Sequence, residues 1–310
     1  MKRPGLYNKI KDSLDEYQLT TDLPGINTPA NENSFISQLI DSISRVKFIE
    51  TIKSRPISQI RKDPTSNIFD PIRASILYNQ EGNKLEAFWL IFLFTHFGKH
   101  NITKYGLLKC FYSKNNSADI FNYLEVEADI TECKFWMNNN QINLKNSGKF
   151  SNHRKYQSLN SYSPNGTGDT IESFINWVGD NFNDFLARIP LAILNDRYLL
   201  FEYLYKEASK NIIGFGRLAC FDFITMLGKV GIFECEPKSP YINCSTGPLK
   251  GTKLLFNTSG NTTPKDLDDF LKDLGDHLEN DLGLKFTMQI MEDAVCNWQK
   301  SPQNYIPFNG

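Results

Sequence analysis

The chain has 310 residues, 40% of them hydrophobic, and is therefore long enough to bury one large core or two smaller ones. Its net charge is −1 and its pI is near 6.4, which excludes a surface that is basic all over, so a nucleic-acid site would have to be local. The longest apolar run, from Phe88 to Phe94, is too short to cross a bilayer, and no apolar signal core lies at the N-terminus.

Helices are predicted through most of the chain. In the first stretch, prolines at positions 24, 29, 56, 64 and 71 mark turns between helices. The segment EAFWLIFLFTHFGKH (86–100) is apolar on nearly every side and predicts a buried central helix, with a buried strand as the alternative. After it, helices are predicted over 170–188, 196–210, GFGRLACFDFITMLGK (214–229), PKDLDDFLKDLGDHLE (264–279) and about 286–300, with a turn-rich span up to Phe256.

One local stretch is both basic and aromatic. Residues 133–168 contain no acidic side chain, while lysines and one arginine alternate with aromatic rings and asparagines. Its densest part, Asn152-His153-Arg154-Lys155-Tyr156-Gln157, is typical of a segment that crosses phosphates and stacks on or hydrogen-bonds to a base. A plain charged loop is the alternative.

Two glycines form a turn directly before an apolar helix. Gly214 and Gly216 precede Arg217, and free amides at a helix start can bind phosphate, as in a helix–hairpin–helix motif. A glycine-containing helix–helix turn is the alternative. Gly214-x-Gly216-x-x-Ala219 also imitates a dinucleotide fingerprint, but helical residues rather than a strand precede it, which argues against a dinucleotide site.

Carboxylates in two helices are candidates for chemistry. Asp222 lies between two phenylalanines in a nearly uncharged run, so it either pairs with an arginine such as Arg217 or works in a pocket on an oxocarbenium-like sugar. Glu292 and Asp293 are adjacent and point about 100° apart on a helix, so they cannot form one acid–base pair. Trp298 belongs either to the core or to a stacking platform.

The sequence lacks the motifs that are typical of metal sites, nucleotide-binding sites and acyl-transfer enzymes. His96 and His100 have a spacing that can bind zinc, but no HExxH motif or cysteine cluster accompanies them, which favours a helix-end pair. No metal and no cofactor is predicted. The six cysteines form no CxxC pair and predict reduced thiols in a cytoplasmic protein.

Several segments, in unbroken order over roughly residues 20 to 308, resemble one family, the alpha-glutamyl/putrescinyl thymine pyrophosphorylases of clade 3. The resemblance is carried by FDPIRASILYNQEGNKLEAFWLIFLFTHFGKH, FSNHRKYQSL with a downstream GTG, FGRLACFDFITMLGK, TGPLKGTKLLF and IMEDAVCNWQKSP. It implies kinship with helix–hairpin–helix DNA glycosylases and with enzymes that remodel hypermodified phage bases. The family also resembles a bacterial anti-phage DNA glycosylase that removes glucosylated hydroxymethylcytosine.

The resemblance implies a mainly α, glycosylase-like fold with long loops: a single domain over residues 1–310, or two lobes, about 1–130 and 131–310, that flank a DNA cleft. The expected partner is double-stranded DNA with modified bases, with no membrane involved. In glycosylases of this fold the catalytic aspartate follows the hairpin helix, where this chain has Glu234 and Glu236, so the catalytic carboxylate stays open. The candidate catalytic residues are Asp222, Glu292, Asp293 and Lys155; the candidate DNA-contacting residues are Asn152, His153, Arg154, Tyr156, Gln157, Gly214, Gly216, Arg217, Lys250, Trp298 and Lys300.

Three functions are compatible with these patterns. The leading hypothesis is a glycosylase that flips out a modified base and hydrolyses its N-glycosidic bond, with Lys155 as an alternative amine nucleophile. The second is a transferase or pyrophosphorylase that alters hydroxymethylated thymine and leaves the strand intact. The third is a module that binds modified DNA without changing it.

Overall fold

The computed structural model describes residues 3–117, 119–258 and 260–307, and within these ranges it contains helices and no strand. The mainly α fold class is thereby confirmed. The helices are α1 (Pro4–Tyr17), α2 (Pro29–Lys53), α3 (Pro71–Gln80), α4 (Lys84–Phe97), α5 (Gly106–Tyr112), α6 (Tyr123–Ala128), α7 (Ile130–Asn139), α8 (Gln141–Ser147), α9 (Thr167–Val178), α10 (Phe182–Ala187), α11 (Leu191–Leu194), α12 (Arg197–Asn211), α13 (Arg217–Val230), α14 (Gly247–Phe256), α15 (Pro264–Leu282) and α16 (Thr287–Trp298). No helix in the described ranges is long and apolar enough to span a membrane.

Two units make up the fold. One contains residues 1–50 and 236–310, and the other contains residues 51–235. The second unit is thus an insertion in the sequence of the first. The predicted boundary near residue 130 differs from these limits, and the arrangement of lobes around a DNA cleft stays a prediction.

The first unit has an aliphatic core. Its helices α1, α14, α15 and α16 and most of α2 contribute isoleucines, leucines and a few large rings that are almost fully buried. The amphipathic pattern of 264–279 does form a helix, α15, which begins with a capping box between Thr263 and Asp266. Within the span predicted as turn-rich, the structure adds helix α14.

The second unit is built around α4. As predicted, EAFWLIFLFTHF is a buried central helix: the Asn83 side chain accepts a hydrogen bond from the Glu86 amide at its start, and Gly98 with φ 69° ends it. Phe88, Trp89 and Phe92 are fully buried and contact aromatic rings from α9, α10 and α13. Stacked and edge-to-face rings fill this core, because a helix that is apolar on all sides must be covered on all sides.

One predicted helix is divided in two. Instead of continuing over 170–188, α9 stops at Val178, where Gly179 adopts φ 80°, and α10 starts after Asn181, whose side chain accepts from the Asn183 and Asp184 amides. A left-handed glycine and a new N-cap make a local stop that the apolar periodicity does not show. All six cysteines are free thiols in the structure.

Candidate functional site

The glycine turn lies between α12 and α13. Gly214 adopts φ 79°, a left-handed conformation that favours glycine, and the Phe215 amide donates to the Ile212 carbonyl at 3.2 Å. Gly216 is the N-cap of α13 and brings no capping side chain, so the first amides of this helix are not satisfied by a local cap. The two helices and their short turn have the hairpin arrangement predicted from the glycines.

The basic and aromatic segment forms a 3-10 turn, Asn152–Arg154, with an outer and an inner side. Asn152, His153, Lys155 and Tyr156 are exposed, Tyr156 to 89%. Arg154 is buried and Gln157 is half-buried. The outer residues are therefore available to a large ligand, while Arg154 and Gln157 are directed into the unit.

Arg154 connects three elements of the second unit. Its Nε donates to the Thr95 carbonyl at 3.1 Å, which satisfies an acceptor in the last turn of α4. Its guanidinium lies 5.4 Å from the ring centroid of Phe215 in the hairpin. Burial lowers the pKa of Arg154, and the negative charge of Asp222 opposes that shift, so the Asp222 carboxylate lies within electrostatic reach of the guanidinium.

Gln157 brings the same segment to the glycine turn. A Cβ built on Gly214 would lie 3.6 Å from Gln157 Nε2 and 3.4 Å from Thr170 Oγ1. The fold therefore brings together Arg154, Gln157, Gly214 and Asp222, which come from two segments about sixty residues apart in the chain. We refer to these four residues as the candidate site.

Asp222 is half-buried on α13, and its two neighbours in the sequence, Phe221 and Phe223, are buried. Arg217, at the first position of the same helix, has its guanidinium 5.7 Å from the centroid of Phe221. A half-buried carboxylate with a buried cation in electrostatic reach can stabilise positive charge or accept a proton from water.

His96 borders the candidate site, and sequence reasoning did not assign it there. Its Nε2 lies 3.0 Å from Thr167 Oγ1, and Thr167 gives its only hydroxyl proton to the Ser158 carbonyl at 2.8 Å, so His96 must be the donor of the first bond. Burial and then the charge of Arg154 lower the pKa of His96 to about 3. The HxxxH spacing suggested only a metal site or a helix end, so no signal in the sequence indicated this role.

Metal-binding geometry is not found in the described ranges, where no group of three or more His, Cys, Asp or Glu side chains could hold an ion. His100, the partner that the spacing suggested for His96, instead accepts hydrogen bonds from the amides of Ile102 and Thr103 through Nδ1.

The other candidate carboxylates lie in the first unit. Glu292 is 6% exposed, and Asp293 forms an ion pair with Arg45 at 3.3 Å. Glu236 is also buried and accepts a hydrogen bond from the Phe286 amide at the start of α16, whereas Glu234 is exposed. Asp293 and Glu236 thus have structural partners within that unit.

The remaining DNA-contact candidates of the first unit differ in accessibility. Trp298 is fully buried and meets Phe35 edge-on at 5.3 Å between centroids, so a base could not stack on it in this conformation. Lys300 is exposed and donates to Asn297 Oδ1 at 2.9 Å, and Lys250 is exposed on α14. We therefore leave Trp298 out of the proposed DNA-contacting set.

The fold and the site together describe an all-helical protein, within the described ranges, with a glycine hairpin beside a buried arginine and a half-buried aspartate. The model of the family described as alpha-glutamyl/putrescinyl thymine pyrophosphorylase clade 3 matches residues 30–310, and the chain belongs to this family. The family implies an enzyme that acts on modified bases of DNA. No curated protein and no solved structure matches the chain.

Proposed function

We propose that the protein is a DNA glycosylase that excises a hypermodified base, such as glucosylated hydroxymethylcytosine, from phage DNA and leaves an abasic site. The observation that carries the proposal is the position of Asp222, half-buried at the glycine hairpin and within electrostatic reach of the buried Arg154. Family membership supports modified DNA as the substrate.

In the proposed reaction the bond between C1′ and the base nitrogen breaks, and its electron pair leaves with the base. The Asp222 carboxylate stabilises the oxocarbenium-like sugar or takes a proton from the water that adds to C1′. The target base must first leave the stack, because the glycosidic bond is shielded inside a duplex.

DNA is held by two elements in this proposal. The uncapped amides at the start of α13, around Gly216 and Arg217, donate hydrogen bonds to the oxygens of a backbone phosphate. The exposed residues Asn152, His153 and Tyr156 contact the strand or the flipped nucleotide. Gln157, at the hairpin, provides an amide that can hydrogen-bond to a base.

The test is incubation of the purified protein with DNA that carries glucosylated hydroxymethylcytosine and with unmodified DNA. Mass spectrometry of released bases and an abasic-site assay are expected to detect free modified base and abasic sites. Altered base masses in intact strands would instead support the transferase or pyrophosphorylase, and unchanged DNA would support a binding module. Trapping of a covalent adduct by borohydride would show that an amine of the protein is the nucleophile, and loss of the adduct in Lys155→Ala would assign it to Lys155.

Asp222→Asn is expected to lower single-turnover base release at least about 100-fold, because the amide can neither accept a proton nor carry the charge that stabilises the sugar. DNA binding should not weaken. The matched control is Asp184→Asn, an exposed carboxylate of the same unit on α10. Equal base release by the Asp222 and Asp184 variants would exclude Asp222 as the catalytic carboxylate.

A further inference from the structure

The loop between α4 and α5, residues 98–105, brings a second set of lysines to the basic segment. No acidic residue occurs between Glu86 and Asp119, just as none occurs over 133–168. The two acid-free stretches belong to the same unit, in a chain whose net charge is −1. Positive charge is therefore concentrated on one part of this unit, although the global charge conceals it.

Close backbone packing joins the loop to the basic segment. A Cβ on Gly98 would meet Ser151 Oγ at 2.2 Å, and one on Gly106 would meet the Ser147 carbonyl at 2.2 Å. The Lys149 amide donates to Thr103 Oγ1 at 3.3 Å. The loop and the segment 147–151 thus lie side by side, and their exposed side chains border one another.

Hydrogen bonds within the loop fix its tip. His100 and Lys104 exchange two backbone hydrogen bonds of 2.9 Å, and His100 Nδ1 accepts from the amides of Ile102 and Thr103. Ile102, at the tip, is 83% exposed. This large apolar side chain, which lies between Lys99 and Lys104 in the sequence, is left uncovered by the residues that the structure describes.

Some lysines of these stretches are engaged elsewhere: Lys114 pairs with Glu125, and Lys134 pairs with Asp169 and Glu172. The others that are exposed have no carboxylate within 4.0 Å among the residues that the structure describes. They form what we call the basic surface: Lys99, Lys104, Lys145, Lys149 and Lys155.

We propose that the basic surface, with Ile102 at its tip, contacts the backbone of duplex DNA next to the candidate site. Ammonium groups without carboxylate partners can replace the counterions of consecutive phosphates. Lys155 directly follows Arg154 in the chain, so one lysine of this surface is the sequence neighbour of a residue of the candidate site. The inference rests on the proposed function because it takes the polyanion to be DNA, and it adds the loop 98–105 as a contacting element.

Charge changes at Ile102 measure how near the loop lies to DNA. Binding to unmodified duplex DNA is followed by fluorescence anisotropy over a range of salt concentrations. Ile102→Lys should tighten binding and steepen the plot of log K against log salt by about 1 unit, and Ile102→Glu should weaken binding. An exposed position tolerates both changes, and circular dichroism checks the fold. Equal binding by both variants and the unaltered protein would overturn the proposal.

The lysines of the loop are tested in the same assay. Lys99→Ala with Lys104→Ala should weaken binding and reduce the salt slope by about 2 units, because two phosphate contacts are lost. The control is Lys265→Ala with Lys272→Ala on α15, which removes the same charge from lysines already paired with aspartates. Equal losses in both double variants, or no DNA binding by the unaltered protein, would also overturn the proposal.

Base release is assayed separately with modified DNA. If no base is released while the Ile102 series behaves as expected, the glycosylase proposal fails and the DNA-contacting surface stands. If base is released but the Ile102 variants bind DNA equally well, the glycosylase proposal stands and the proposal that the basic surface contacts DNA is wrong.

Discussion

His96 is a buried base next to a buried cation, Arg154. A second positive charge at this depth would lose its hydration and would also be repelled by the guanidinium, so the imidazole is held neutral and its pKa is lowered to about 3. Its Nε2–H group then serves as a fixed donor to Thr167, which orients the start of α9. The protonation state of His96 is thus set by its burial and by Arg154 rather than by the residue type alone.

This neutral histidine predicts a pH dependence of stability. The folded-state pKa of His96 lies below the unfolded value of 6.5. Its contribution to the free energy of unfolding is therefore fully present above pH 6.5 and is lost as the pH falls toward about 3. In the His96→Gln variant the free energy of unfolding should fall less as the pH is lowered, by an amount on the order of a few kcal/mol. Urea unfolding at a series of pH values measures it.

His153→Gln is the control for this experiment, because His153 is exposed and changes its surroundings little on unfolding. The His153 variant should follow the unaltered protein throughout the pH range. The same acid-induced loss in the His96 variant would show that another group causes it.

Helix packing in the first unit depends on two glycines, Gly247 and Gly251. From the sequence alone they were noted only as part of a segment that resembles the family. In TGPLKGTKLLF, a Cβ on Gly251 would meet the Val295 carbonyl oxygen at 2.2 Å, and one on Gly247 would meet Cys296 Sγ at 2.6 Å. Helices α14 and α16 therefore approach each other more closely than side chains would allow. The glycines are spacers for packing, while Lys250 between them stays exposed.

Gly251→Ala should lower the free energy of unfolding by about 1–3 kcal/mol, since the methyl group meets backbone atoms that cannot rotate away. Gly5→Ala on α1, where an added Cβ meets nothing within 4 Å, should leave stability unchanged or raise it by up to about 1 kcal/mol. Thermal unfolding of both variants compares them. An undisturbed Gly251 variant would mean that α14 and α16 can separate at little cost.

Sequence patterns predicted helices and turns well where the pattern that causes them lies within a few neighbouring residues. The all-apolar run of α4, the amphipathic run of α15 and the glycine turn before α13 all have their cause within a few residues. The break between α9 and α10 was missed because it depends on one left-handed glycine and one asparagine cap rather than on periodicity.

At the scale of the whole molecule, the described residues of the two units form separate cores that share no residue. The aliphatic cluster of the first unit draws only on residues 7–46 and 242–298, and the aromatic core around Phe88 belongs to the insertion. A separate core is what lets a unit fold by itself.

We therefore expect a fragment of residues 51–235 to fold alone, with cooperative thermal unfolding and a near-ultraviolet dichroism spectrum from its packed aromatic rings. A fragment of the same length that covers residues 1–185 should not, because it cuts both cores. A non-cooperative transition for 51–235 would show that the insertion needs the first unit in order to fold.

The sequence by itself determined the helical class, the hairpin before α13 and the donor-rich segment around Arg154, because propensity, glycine conformation and local charge are properties of neighbouring residues. Only the tertiary structure decided that Arg154 lies in electrostatic reach of Asp222, that the loop 98–105 extends the basic segment, and that Trp298 is enclosed against Phe35. These facts depend on which helix faces meet. Periodicity shows that a face is apolar, but not which other face covers it.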